Sequence, residues 1–336
     1  MRRLLLVALI ALGVAPGTWL RSAPSDEPPV RFTIHQVAGP RASEHPAWRR
    51  EGVWHYRSGH KWFGGFSALL APGGEGGGTL RAFSDRGFRF AFTEPTRAGP
   101  PTARAARQLE LDPYFNGLWD IESATLDPAT GRYWLGYENR HTIQRYTPDD
   151  MPDRFRDLQN EVDWGANSGA EALVRLANGR FVLLPEGESY GLIYPRDPVL
   201  GDPPRRFAFA TPREGYDPVD AAQLPDGRLL VLMRALRAGI PSFASLLAIG
   251  EVPEGDDPAG FAPSIALDLA GIVPFENYEG LALRRLGDER VAVWLIADDN
   301  FSVLQRTLLA KLVFDPARSP ATRTKERPRE EPRTTF

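Results

Sequence analysis

One pattern recurs along most of this 336-residue chain, and recurrence at a period of about fifty residues restricts the fold more than composition does. The segment Glu122 to Glu138 aligns with Glu171 to Glu186, with Asp220 to Arg234, and with Glu279 through Asp298; a more diverged copy runs from Ser67 to Asp85. Each copy is a short apolar strand, a glycine-containing turn such as Asn178-Gly179 or Asp226-Gly227, and a second apolar strand, which is the pattern of a β-hairpin. Further strand-like pieces, Leu246 to Ile249 and Ser264 to Leu267, bring the count to about four strands per unit. The anchors at 67, 122, 171, 220 and 279 are separated by 55, 49, 49 and 59 residues. Four strands at that spacing define a β-propeller, and a β-sandwich with chance hairpin similarity is the competing architecture.

Five repeats are visible. The segments 31–66 and 279–314, the former including the strand-like Phe32 to Val37, together suffice for one blade built from both termini, so the expectation is an all-β propeller of five or six four-stranded blades closed by N- and C-terminal strands. Helical periodicity is confined to Pro152 to Leu158. The glycine cluster Gly73 to Gly78 reads as a loop between hairpin strands, because no helix and no Lys-Ser/Thr pair follows it.

The termini read differently from the repeats. Met1-Arg2-Arg3 and the apolar run Leu4 to Ala15 form a charged region and a short hydrophobic region, and residues 1–23 read as a signal peptide for the general secretory route. Twelve apolar residues are too few to span a bilayer, and the uncleaved membrane-proximal anchor is the other reading. There are no cysteines, so neither lipoprotein attachment nor disulfides apply, and stability must come from core burial. The propeller domain is expected over 24–315 and a solvated, disordered tail over 316–336. The expected location is the periplasm or the exterior, as a monomer with no transmembrane span in its mature form.

Charge excludes one class of partner. The chain carries −3, and loss of the three arginines of residues 1–23 takes it to −6; nucleic acid, which needs clustered cations to neutralise phosphates, is not expected. The acids recur by position instead. Glu122, Glu171, Asp220 and Glu279 stand at the repeat anchors, where the inner strands of a propeller converge on one axis. Close carboxylates raise one another's pKa or require a cation, and hard oxygen ligands suit calcium; pairing with arginine across the channel is the plain structural alternative. A second ring lies at the end of the second strand of each repeat: Asp85-Arg86, Glu138-Asn139-Arg140-His141, Glu186-Gly187-Glu188, Met233-Arg234 and Asp298-Asp299-Asn300. Three guanidinium groups, Arg86, Arg140 and Arg234, recur there beside carboxylates as a fork for phosphate or carboxylate, with ordinary ion pairing as the rival. His35, His45, His55 and His60 match no ligand pattern. His141 follows a rim position, where an imidazole can act as acid or base near neutral pH. No Gly-x-Ser-x-Gly elbow is present, which leaves a serine hydrolase without support.

Asn277-Tyr278-Glu279-Gly280 followed by Trp294 to Leu309, together with Phe63 to Leu69, Ser84 to Gly87 and Asn167 to Leu173, resembles the bacterial phytase-like family described as having esterase-like activity of phytase. The resemblance covers about residues 31–314 and departs at Met233, where the family carries a glutamate before the arginine. It implies an exported propeller acting on phosphoric or other esters with calcium. The expected metal ligands are Asp85, Glu122, Glu171, Asp220, Glu279 and Asp299; the expected substrate-binding residues are Arg86, Arg140, Arg234 and Asn300; the expected catalytic residues are Glu138, His141, Glu279 and Asp298. The expected partner is a small anionic or ester substrate. A non-catalytic propeller that binds a ligand or an envelope protein is the alternative, and a calcium-dependent lactonase a third.

Overall fold

The computed structural model describes residues 31–38, 45–73, 78–95, 103–108, 118, 120–165, 168–239, 242–254 and 260–319. The signal peptide expected over 1–23 and residues 320–336 of the expected tail lie outside them. The described start of that tail, Pro316–Arg318, forms a 3-10 turn on which Asp315 acts as N-cap, accepting from the Ala317 N–H.

Among the described residues, twenty-one strands make five antiparallel sheets. Blade 1 contains, from inside to outside, β3 (Phe66–Leu70), β4 (Thr79–Ser84), β5 (Phe88–Thr93) and β6 (Ala103–Gln108). Blade 2 contains β7 (Ile121–Leu126), β8 (Tyr133–Tyr137), β9 (Thr142–Tyr146) and β10 (Pro152–Asp157). Blade 3 contains β11 (Ala172–Arg175), β12 (Phe181–Leu184), β13 (Tyr190–Tyr194) and β14 (Arg205–Ala208). Blade 4 contains β15 (Asp217–Gln223), β16 (Leu229–Leu236), β17 (Phe243–Gly250) and β18 (Ser264–Asp268). Blade 5 takes β19 (Asn277–Arg285), β20 (Val291–Asp298) and β21 (Leu308–Phe314) from the C-terminal side, then β2 (Trp48–Ser58) and β1 (Phe32–Gln36) from the N-terminal side.

Each inner strand touches the inner strand of the blade on either side, and β19 meets β3, so the ring closes at five. As expected, the amino-terminal segment completes the blade that the C-terminal strands begin. It adds β2 to β21, with Trp54 opposite Leu309, and β1 to β2. That pairing joins the first strands of the ring to the last, which suits a chain without disulfides.

Five apolar clusters fill the five gaps between neighbouring blades rather than one central core. One, between blades 5 and 1, packs Tyr56, Phe66, Phe90, Phe92 and Trp294; another, between blades 2 and 3, packs Trp134, Trp164, Phe181 and Tyr194. The hairpin turns are as expected: Gly179 and Gly227 adopt φ of 85° and 96°, which only glycine takes without strain. Pro152 to Leu158 departs from expectation, because it supplies β10 rather than a helix. The edge of β9 offers a ladder that a lone helix would lack, and the Gln144 amide donates to the Arg154 carbonyl across it. Among the described residues, no helix is long and apolar enough to cross a membrane.

Candidate functional site in the propeller channel

The start of each inner strand carries an irregularity that sets the site. In β3, β7, β15 and β19 the register against the second strand slips by one residue, leaving Ser67, Glu122, Val219 and Glu279 unpaired as bulges. In blade 3 pairing stops at Ala172–Leu184, so Glu171 holds the same place, and Pro185 opposite has no N–H to extend the ladder. A bulge re-aims a side chain beside a strand end. The ring at this level is therefore Ser67, Glu122, Glu171, Val219 and Glu279.

Asp220 is not part of that ring. It lies one residue beyond the bulge, at the place occupied elsewhere by Ala68, Ser123, Ala172 and Gly280, and a one-residue step turns the side chain to the other face. Its fully buried carboxylate accepts from the Ala221 N–H at 2.8 Å and from the Leu281 N–H of the next blade at 2.6 Å. Burial pushes its pKa well up, and the two backbone donors oppose that. Asp220 staples blades 4 and 5.

The same register corrects the second ring. Asp85, Glu138, Glu186, Arg234 and Asp298 occupy equivalent positions, one per blade. Arg234 thus replaces a carboxylate and is not equivalent to Arg86 or Arg140. Its guanidinium donates to Glu279, to Glu186 at 3.1 Å and to Asn277 at 3.0 Å, and Asn277 donates in turn to Glu279 at 2.8 Å. Blade 4, with Val219 and Arg234, supplies no acid to either ring and lends the counter-charge to its two neighbours.

One guanidinium does not offset this many acids. Single carboxylate oxygens of Asp120, Glu122 and Glu138 lie within 4.8 Å of one another. Burial and then the charges of Glu171 and Glu279 drive the Glu122 pKa well up. Glu138 is pushed up to about 7 by burial and by Asp120, with which it shares a hydrogen bond that requires a proton on one partner. Burial also raises Glu171, Glu279 and Asp298, and Glu279 shares a hydrogen bond with Asp298. Asp85 is pushed up to about 6, burial outweighing the Ser84 hydroxyl and Arg86. A set of hard oxygen donors that holds protons for want of positive charge fits a divalent cation.

The remaining expected residues divide. Asp299 accepts from the Gly65 N–H at 3.0 Å, the Phe301 N–H at 3.1 Å and the Thr307 hydroxyl at 2.8 Å, so it ties the blade 5 loop to blade 1. Asn300 is exposed and donates its amide to Gln305 within the same loop. Arg140 is exposed on the β8–β9 turn. His141 turns from the channel: its ring packs edge-on against Trp164 at 5.6 Å, its buried Nδ1 has no hydrogen-bond partner among the described residues, and burial lowers its pKa. Arg86 stays at the mouth, over the Phe301 ring. Asp120 was not singled out from the sequence; a second acid two residues ahead of the anchor Glu122 is the signal that could have found it.

A five-bladed propeller whose inner-strand starts converge on an acid-lined channel is the class that fold and site define. Residues 61–301 match the Phytase-like family, described by esterase-like activity of phytase, and the chain belongs to that family. No curated protein sequence matches it. The alpha-L-arabinofuranosidase from Podospora anserina, solved with cellotriose, is similar over 87% of this chain and 100% of that one, at 12% identity and a TM-score of 0.50, a likeness of fold. The endo-arabinase from Bacteroides thetaiotaomicron aligns over 70% of this chain and 90% of its own, at 14% identity and a TM-score of 0.45.

Proposed function

We propose that the protein is an exported, calcium-assisted hydrolase of phosphoric or related esters, acting at the acidic mouth of the propeller channel. The observation that carries this reading is the convergence of Asp120, Glu122 and Glu138 within 4.8 Å, beside Glu171 and Glu279 and under one guanidinium. Asp120, Glu122 and Glu138 would hold the cation, with Glu171 adjacent. A calcium ion there supplies a Lewis acid for a phosphoryl or carbonyl oxygen and makes bound water more acidic. Glu279 and Asp298, buried and sharing a hydrogen bond, would hold a proton between them for a leaving oxygen. Arg234 holds Glu186 and Glu279 in place, and Arg86 faces the incoming anion.

Calorimetric titration with calcium, followed by assays on phosphomonoesters, carboxylic esters and lactones with calcium or with chelator, tests the reading. Calcium binding with chelator-sensitive turnover of phosphomonoesters or carboxylic esters supports it, and lactone turnover alone would point to a lactonase. Absence of both binding and turnover would sink it. A non-catalytic ligand-binding propeller is favoured by one observation, that the donors of Arg234 are already taken by Glu186, Glu279 and Asn277; it predicts saturable calcium binding and no turnover.

A further inference from the structure

The mouth of the channel carries an arrangement that cation binding does not use. Arg86 and Phe301 come from different blades, on the β4–β5 turn of blade 1 and the β20–β21 loop of blade 5, and the guanidinium carbon lies 3.5 Å from the ring centroid. Trp62 stands nearby, its ring 5.8 Å from the same guanidinium and stacked on Phe88. Among the described residues, the guanidinium N–H groups of Arg86 have no acceptor, unlike those of Arg234.

The loop that presents Phe301 is held in an unfavourable conformation. Asn300 and Phe301 both adopt φ of 48°, a left-handed geometry that a bulky residue avoids at a cost of roughly 1–2 kcal/mol. Three hydrogen bonds impose it: the Asn300 N–H to Asp298 at 2.6 Å, the Phe301 N–H to Asp299 at 3.1 Å, and the Ser302 N–H to the Asp299 carbonyl at 2.7 Å. Space is reserved for the ring as well. Gly65, at φ of 62°, leaves room that a Cβ would share with the Phe301 ring and the Asp85 carboxylate. The ring that orients Arg86 is thus set by the aspartates that border the acidic channel.

We propose that Arg86 is the anion receptor of this site, a guanidinium fork for the phosphoryl oxygens of a phosphate monoester, and that Phe301 is the positioning residue that sets its plane. Stacking on an aromatic face restrains the guanidinium while leaving its edge N–H groups free to form two parallel bonds to phosphate. Lysine offers neither the stacking plane nor the fork. The neighbouring acids repel an anion until a cation offsets them, so the receptor works only with calcium bound. The assignment deepens the hydrolase reading, on which its dependence on calcium rests, but it concerns binding and is measured without turnover.

The test is titration of the calcium-loaded protein with inorganic phosphate and with phenyl phosphate, by calorimetry. Arg86→Lys and Arg86→Gln are each expected to weaken phosphate binding about tenfold or more, the loss of a charge-assisted hydrogen bond. Phe301→Leu is expected to weaken it about threefold, with Phe301→Tyr restoring it. All four variants should bind calcium as the parent does, and melting curves report whether they fold; Arg86 is exposed, so its two variants carry the test even if Phe301→Leu does not fold. Phosphate affinity unchanged in Arg86→Lys, a tyrosine that fails to rescue a folded Phe301→Leu, or no phosphate binding to the parent protein overturns the proposal. Phosphate binding with the expected losses but no turnover of any ester leaves it standing and removes the hydrolase reading alone.

Discussion

The five inner strands end in two unlike places. Where they start, the channel holds Glu122, Glu171 and Glu279 with Arg234 as counter-charge. Where they finish, the ends of β3, β7, β11, β15 and β19 surround a cavity of about 440 Å³ lined by Leu70, Leu126, Leu224, Leu281 and Leu283. Arginines occur at both ends. At the apolar end Arg284 is buried and fully used, bonding Glu94 and the carbonyls of Pro72, Gly73 and Thr79, and Arg175 pairs with Asp127 at 3.4 Å. At the acidic end the acids outnumber the cations. One set of strands therefore spends its polar groups on stability at one end and leaves charge uncompensated at the other, and that imbalance locates the candidate site.

The contrast predicts separable losses. Arg284→Ala strands the nearly buried Glu94 carboxylate and should cost about 3–5 kcal/mol in chemical denaturation, with calcium affinity unchanged; a change in calcium affinity would mean that the two ends are coupled. Glu122→Gln should do the reverse, lowering calcium affinity and any turnover about 100-fold, near 2.7 kcal/mol, with little loss of stability. Asp220→Ala leaves two buried N–H groups unpaired and should destabilise by about 2 kcal/mol without affecting calcium, which separates the staple from the ring.

The smallest expected effect is a pH dependence of the calcium-free protein. Glu138 and Asp85 titrate at about 7 and about 6 in the fold, above their ordinary values, so the folded state holds protons that the unfolded chain has already released. Stability should then fall as pH rises from about 5 to about 8. Calcium should flatten that slope, and thermal melts across the range, with calcium and with chelator, measure both.

The fold was largely legible, because a hairpin repeated every fifty residues with glycine at its turns has few ways to bury its faces. The number of blades was not. A sixth remained open had one interval been more compact, and what excluded it was the contact of each inner strand with the next and of β19 with β3, a meeting of distant segments that no local pattern encodes. The site was legible in part. Glu122, Glu171 and Glu279 were visible as recurring acids, whereas Asp220, aligned with them, faces the other way by one residue, and Arg234, aligned with Arg86, stands in a carboxylate's place. Phe301 was missed because its role depends on a turn of another blade, and Asp120, which meets Glu122 and Glu138 within blade 2, because it stands just ahead of the repeat anchor rather than at it.

Composition and repeat thus determined a closed ring of β-sheets and the presence of acids near its axis, since periodicity and burial are properties of short segments. Which acids converge, and which arginine is left free to meet a ligand, was decided by tertiary structure alone. The physical reason is the β-bulge: an inserted residue reverses the face of everything after it, and its position is set by pairing between strands rather than by the residues within one.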